Sequence, residues 1–188
     1  MATGKLDTPH SRGACTAPMA PDDALKTSFP PVTNTATRVL VLGSLPGDRS
    51  LKERRYYAHP QNQFWALVGA AVGRDLASLT YPDRLTALLA SGIGLWDVIG
   101  TARRQGSNDA AIRDHRANDL RALCDQLPHL RAIAFNGATA ARIGTAELGA
   151  QDDGRGIARL TLPSSSPLHT VGVAAKLPDW MAIRDFLN

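Results

Sequence analysis

Val39-Leu40-Val41-Leu42-Gly43-Ser44-Leu45-Pro46-Gly47 is the stretch from which the fold of this 188-residue chain can be read. Four consecutive aliphatic residues, two of them β-branched, read as a strand buried on both faces, the pattern of a parallel sheet. Gly43 ends the run, and Gly-Ser-Leu-Pro-Gly reads as a tight turn at the strand's carboxyl end. Ligands of open α/β sheets bind at that rim, where glycine lets the backbone approach a bound group closely. A second dense stretch follows: Tyr56-Tyr57-Ala58-His59-Pro60-Gln61-Asn62-Gln63-Phe64-Trp65 gathers aromatic rings, a histidine and an asparagine in a chain that is only 5% aromatic. Such local enrichment marks a candidate site.

Working outward, residues 1–26 mix Pro, Thr, Ser and Ala without periodicity and are expected to form a flexible leader, with residues 27–188 as a single domain. Downstream of the turn, Arg49, Lys52, Arg54 and Arg55 read as a basic loop. Phe64, Trp65, Leu67, Val68 and Val72 then have helical spacing, which predicts a helix over 62–72. Thr80-Tyr81-Pro82-Asp83 resembles a helix start, and Gly92 stops that helix. Further strands are expected over 93–98, 130–135 and 157–162, with helices over 120–127, over 138–143 and at the C-terminus, where Trp180, Ile183 and Leu187 form a stripe. Residues 101–116, polar and Arg-rich, read as a long loop, and 145–156 as a Gly- and Asp-rich connection. Alternating strands and helices make the expected fold α/β: three layers, with a four-stranded parallel sheet flanked by helices. Four polar segments then fall at strand ends: the first turn, the loop from Trp96 to Asp109, Asn136-Gly137, and the loop from Ser164 to His169. They would converge on one crevice.

Composition bounds the function. With 44% apolar and 20% charged residues the chain is that of a globular protein. A net charge of +4 and a pI near 9.4 suit an acidic partner, nucleic acid above all. Two cysteines, Cys15 and Cys124, cannot build a disulfide framework or a four-cysteine metal site. No run approaches the roughly 18 apolar residues of a membrane span, so no membrane association is expected. The setting expected is cytoplasmic, and nucleoid-associated in a bacterium.

Each candidate has a plain alternative. The first turn lacks the Gly-Lys-Ser/Thr ending of a phosphate loop, which disfavours nucleoside triphosphate hydrolysis. His59 suits acid–base work or a structural hydrogen bond. Ser164, Ser165 and Ser166 lie in no Gly-x-Ser-x-Gly elbow and suit phosphate binding better than nucleophilic attack. Tyr57 and Phe64 could stack on a base, whereas Trp65 reads as core. Arg54, Arg55, Arg103 and Arg104 suit DNA phosphates or a solvated surface. Asn62 sits where a helix cap would.

Taken together, Gly43-Ser44-Leu45-Pro46-Gly47 with Ser50-Leu51, the Tyr56 to Trp65 stretch, Leu95-Trp96-Asp97-Val98, Gly106-Ser107 and Leu162-Pro163-Ser164-Ser165-Ser166-Pro167 resemble the hypoxanthine-DNA (deoxyinosine) glycosylase branch of the uracil-DNA glycosylase superfamily. Phe135-Asn136-Gly137 and the serine loop are also similar to the mismatch-specific uracil and thymine DNA glycosylases. The resemblance runs from about Ser28 to the C-terminus. Most of the superfamily carries Asp or Asn at the third position of the first motif to place the attacking water. Here that position is Leu45, which cannot do so. The deoxyinosine branch shares this lack, and the asparagine of its His-Pro-x-Asn segment, Asn62 here, is implied to substitute.

The resemblance therefore implies a monofunctional enzyme that flips a deaminated base, hypoxanthine or also uracil, out of double-stranded DNA and cleaves its N-glycosidic bond. Asn62 would be catalytic. Ser44, Leu45, Pro46, Gly47, Tyr57, His59 and Phe64 would form the base pocket, joined by Asn108 and Asn136. Arg54, Arg55 and the serines Ser164, Ser165 and Ser166 would contact DNA, and Leu168 with His169 would wedge into the duplex. No lysine falls in the matched motifs, so no Schiff-base lyase step is expected. No cofactor and no metal are expected, and the chain would act as a monomer. Two alternatives stay open: a mismatch-specific uracil or thymine glycosylase, and a homologue that binds damaged DNA without cutting it.

Overall fold

The computed structural model describes residues 25–149 and 154–188. The expected leader up to residue 24, and residues 150–153 of the Gly/Asp-rich connection, lie outside the described residues. In chain order the elements are β1 (Leu25–Thr27), β2 (Val39–Gly43), α1 (Asp48–Glu53), α2 (Phe64–Val72), α3 (Tyr81–Ala90), β3 (Ile93–Asp97), β4 (Ile99–Arg103), β5 (Arg113–Ala117), α4 (Leu120–Asp125), β6 (Ala132–Asn136), α5 (Ala138–Leu148), β7 (Ala158–Leu162) and α6 (Val173–Met181). Two 3₁₀ turns, Asp109–Ala111 and Ala182–Phe186, complete them.

The aliphatic run behaves as its composition dictates. β2 is fully buried, and its side chains divide between two hydrophobic clusters. Val39 and Val41 pack with α2, α3 and the C-terminal helix through Phe64, Leu67, Leu88 and Trp180. Leu40 and Leu42 pack with α4 and α5 through Leu123 and Ile143, alongside Phe135 of the neighbouring strand β6. Alternate side chains of one strand thus feed cores on opposite faces of the sheet, which makes three layers. Burying each such aliphatic side chain contributes about 1.5–3 kcal/mol, so this short strand is a main anchor of the fold.

β2, β3, β6 and β7 form one parallel sheet in the order β3-β2-β6-β7. From β2 the chain steps to β3 on one side and later returns to β6 on the other. The junction of β2 and β6 is therefore a topological switch point, where the following loops separate and leave a crevice. Register completes the arrangement: Gly43 lies beside Asp97, and Asn136 beside Leu162, so the strand ends form a level rim.

Three readings are corrected. The segment read as a long loop is mostly a hairpin, because β4 and β5 pair antiparallel and β1 adds to the other side of β4 in a second sheet. β5 is an exposed edge strand, Arg-Asp-His-Arg-Ala, so it has no alternation of apolar and polar residues to reveal it. Leu25 and Lys26, placed at the end of the leader, are strand residues for the same reason: three half-exposed positions carry no periodic signal. The basic stretch after the first turn is the short helix α1, too brief to show periodicity.

Candidate active site

The crevice at the rim is a cleft of about 560 Å³, within the roughly 300–1,000 Å³ usual for small-molecule sites. Its walls come from residues 43–47 and α1, from Tyr56, Tyr57, His59 and Asn62, from Asp97, from residues 105–109 at the hairpin tip, from Asn136, and from residues 164–169. Four strand ends converge there, as the polar segments predict.

The first turn is held from behind. The Arg104 side chain, buried at 1% exposure, donates to the carbonyl oxygens of Leu45 (3.2 Å), Pro46 and Gly106 (3.0 Å) and pairs with Asp109 at 3.4 Å. Leu45 is itself buried in the α4/α5 cluster, so the turn offers the cleft backbone rather than that side chain. Asp48 N–H donates to the Ser107 hydroxyl at 2.9 Å, and Lys26 bonds to both Asp48 and the Gly106 carbonyl. Strand β1 thereby fastens α1 to the hairpin tip.

Asn62 lies on the cleft wall just ahead of α2. Its side-chain oxygen accepts from Phe64 N–H at 2.9 Å, a local turn that fixes the amide in the cleft; the helix N-cap itself is Gln63, which makes no side-chain cap, so Asn62 stands one residue ahead of the position its capping reading gave it. His59 Nδ1 accepts from Gln61 N–H at 3.2 Å, which leaves Nε2 to carry the proton of the neutral ring. Asn108 caps the 3₁₀ turn by accepting from Ala110 N–H at 3.0 Å.

Asn136 bridges two walls. Its Nδ2 donates to the Ser165 hydroxyl at 2.8 Å and to the Tyr57 hydroxyl at 3.3 Å, and its carbonyl accepts from Ser165 N–H at 2.8 Å. Its amide is therefore engaged within the protein, fixing the serine loop to β6 and Tyr57. Ser165 is fully buried in this bridge, whereas Ser164 and Ser166 accept from the backbone N–H groups of Ser166 and Leu168, each at 3.2 Å. Both hydroxyls keep their own protons to donate, which suits a phosphate oxygen. Leu168 projects at 62% exposure from the lip, and the buried Lys176 holds that loop by donating to the His169 carbonyl at 3.0 Å.

Phe64, Arg54 and Arg55 do not line the cleft. Phe64 is fully buried behind Tyr57, because the apolar stripe of α2 turns inward to the core. Arg54 is the left-handed C-cap of α1, and the Arg55 guanidinium lies over the Tyr81 ring at 5.6 Å. Arg104, proposed for DNA phosphates, is buried behind the first turn and cannot reach them. Trp65 is core, as its spacing predicts.

Asp97 is the residue that sequence reasoning passed over. It is 4% exposed, at the end of β3 and on the cleft wall. Burial pushes its carboxyl up to about 7, against the pull of the Arg104 guanidinium and of the nearby Tyr56 hydroxyl, whose own hydrogen bonds go to the Phe29 and Pro30 carbonyls. Burial, and secondarily the Asp97 charge, push the Tyr56 and Tyr57 hydroxyls up, so both stay protonated. The signal was present: an acid directly after an apolar run at a strand's carboxyl end, in Leu95-Trp96-Asp97-Val98.

The fold and cleft define the class: an α/β protein that takes a ligand at the switch point of a parallel sheet, between glycine-containing and serine-rich loops. Residues 30–182 match the Uracil DNA glycosylase superfamily. The chain belongs to the uracil DNA glycosylase superfamily. It is 38% identical to the hypoxanthine DNA glycosylase of Methanosarcina acetivorans over 159 residues, covering 85% of this chain and 98% of that protein. It is 46% identical over 112 residues to the hypoxanthine DNA glycosylase of Methanosarcina barkeri, covering 60% of this chain and 71% of the relative. A solution NMR structure from M. acetivorans, presented as a candidate uracil DNA glycosylase, superposes with a TM-score of 0.76 at 37% identity and covers 88% of this chain and all of that one.

Proposed function

We propose that this protein is a monofunctional DNA glycosylase that removes hypoxanthine, and uracil as a second substrate, from double-stranded DNA. The base is turned out of the stack into the cleft, at a cost of a few kcal/mol that is least at mispaired positions. Asn62 orients a water toward C1′. As the glycosidic bond breaks, its electron pair leaves with the base, the water oxygen bonds to C1′, and the water's proton departs, leaving an abasic site. The transition state is a cation-like sugar, so a fixed amide that positions water is sufficient where a strong base is not required.

The observation that carries this reading is Asn62 fixed on the cleft wall by the hydrogen bond its side-chain oxygen accepts from Phe64 N–H, in a cleft whose first turn has an apolar and buried third residue, Leu45. The names of the two Methanosarcina relatives support hypoxanthine as the base. Ser164 and Ser166 would bind phosphates beside the cleft, and Leu168 would fill the gap left by the flipped base. Arg54 and Arg55 would contribute to the phosphate attraction from outside the cleft. The protein would act as a monomer in the cytoplasm, on the nucleoid in a bacterium. Among the described residues no helix is long and apolar enough to cross a membrane.

Single-turnover cleavage of duplexes carrying one deoxyinosine or one deoxyuridine tests the reading. Cleavage of deoxyinosine supports it. Cleavage of deoxyuridine alone would move the protein to the uracil or mismatch side, and tight binding with no turnover would make it a damaged-DNA binder.

A further inference from the structure

Asp97 is a carboxylic acid with no structural partner sufficient to explain its burial. Its Oδ2 is buried without a hydrogen-bond partner, an arrangement that costs about 1–3 kcal/mol or more and that calls for an explanation, a catalytic role being one. Its Oδ1 lies over Gly43: a Cβ at that glycine would stand 2.6 Å from Oδ1 and 3.3 Å from the Tyr57 hydroxyl. The side-chain-free backbone of Gly43 therefore opens a slot on the cleft wall in which Asp97 and Tyr57 converge. The groups that face the carboxyl are Tyr56 and Tyr57 from the segment after α1 and Arg104 and Asp109 from the hairpin, while Asn118 donates only to the Asp97 backbone carbonyl, at 2.8 Å. Arg104 bonds to the first turn, the hairpin tip and Asp109, so Asp97 has no dedicated ion-pair partner of its own.

We propose that Asp97, in its neutral form, hydrogen-bonds to a ring nitrogen of the flipped purine and protonates it as the glycosidic bond breaks. The inference rests on the reading above that the cleft takes hypoxanthine. A purine expelled through N9 leaves as an anion unless another ring nitrogen gains a proton. In the step proposed, the carboxyl O–H breaks and an N–H forms on the base, while the C1′–N9 electron pair goes to the departing ring. The water attacking C1′ releases its proton through solvent, which restores the Asp97 carboxyl. With its carboxyl pushed up to about 7, Asp97 is available as an acid near neutral pH.

The test is the pH dependence of single-turnover deoxyinosine cleavage by wild type and Asp97→Asn, with melting temperature and abasic-DNA binding measured beside it. Wild-type rates should fall with a one-proton slope above about pH 7, the Asn variant should be slower by about 10²-fold near pH 6, and the two should converge toward about pH 9. Loss of the same factor at every pH, or a variant that retains the wild-type limb, would overturn the proposal. If the variant does not fold, a wild-type rate that is flat across this range overturns it alone. A wild type that cleaves no deoxyinosine would instead sink the underlying functional reading.

Discussion

Tyr57 lies flat against Phe64, with ring centroids 3.7 Å apart and planes 10° from parallel. Phe64 covers one face of Tyr57, and the tyrosine hydroxyl meets Asn136 at the cleft. Tyr57 holds a left-handed backbone conformation, φ +52°, a strain of order 1–2 kcal/mol for a bulky residue. The stack and the Asn136 contact hold it there. Phe64→Leu should therefore lose about 0.5–1.5 kcal/mol of stacking and release the ring. Deoxyinosine cleavage should fall while affinity for undamaged duplex stays unchanged, as single-turnover rates and fluorescence anisotropy would read. Unchanged cleavage would mean that the ring is held by other contacts.

Asn62→Ala should reduce cleavage on the order of 10²-fold or more and leave DNA binding intact. Because the side chain also accepts from Phe64 N–H in the turn that leads into α2, the variant should lose about 0.5–1.5 kcal/mol of stability. Asn62→Asp retains an oxygen to accept from Phe64 N–H and should melt like wild type. Unchanged rates in the alanine variant would remove Asn62 from the chemistry.

Leu168→Ala removes an exposed apolar tip at the lip of the cleft. Cleavage of deoxyinosine in duplex should drop several-fold more than cleavage in single strands, where there is no stack to refill. Parallel loss on both substrates would argue against a wedge.

Arg104→Lys keeps the charge but cannot reproduce the guanidinium's bonds to Leu45, Pro46, Gly106 and Asp109. Thermal unfolding should report a loss of about 1–3 kcal/mol, since buried carbonyls of the first turn are left incompletely paired. Cleavage should fall with it as the first turn loosens. A variant of wild-type stability would mean that the turn is held by β2 and α1 alone.

Asp97 makes a stability prediction with a defined sign. Burial raises its folded pKa to about 7 from an unfolded value of 3.8, so between those values the folded state binds more protons than the unfolded one. Stability contributed by this group is thus present at low pH and is lost as pH rises from about 4 to about 7, by a few kcal/mol in all. Asp109 is also pushed up by burial and adds to the trend. Denaturant unfolding of wild type against Asp97→Asn should show the variant gaining relative stability across that window. A constant difference would contradict the burial-driven shift.

The parallel sheet was legible because its central strands are apolar on both faces: Val39 to Leu42 announce themselves without help from alternation. The second sheet was not, because Arg113 to Arg116 are all exposed and pair with β4 through backbone hydrogen bonds and the Arg103–Asp114 ion pair, which composition does not record. At the site, the dense stretch from Tyr56 to Trp65 drew attention to Tyr57, His59 and Asn62, and all three line the cleft. Phe64 was misplaced because an aromatic at a helix's first turn reads alike whether it faces ligand or core, and only packing decides. Asp97 was missed because its meaning depends on Gly43, a neighbour in register that lies far away in sequence.

β5 leaves one flank of the smaller sheet open, and an open flank offers unpaired backbone groups to any other extended chain. Arg113, Asp114, His115 and Arg116 line it with exposed charge, and the left-handed turn at Asp114, φ +47°, interrupts the flat ladder that such templating needs. Replacing these residues by β-branched apolar ones would make the strand obvious to any reader of the sequence, and would also turn it into a nucleus for aggregation.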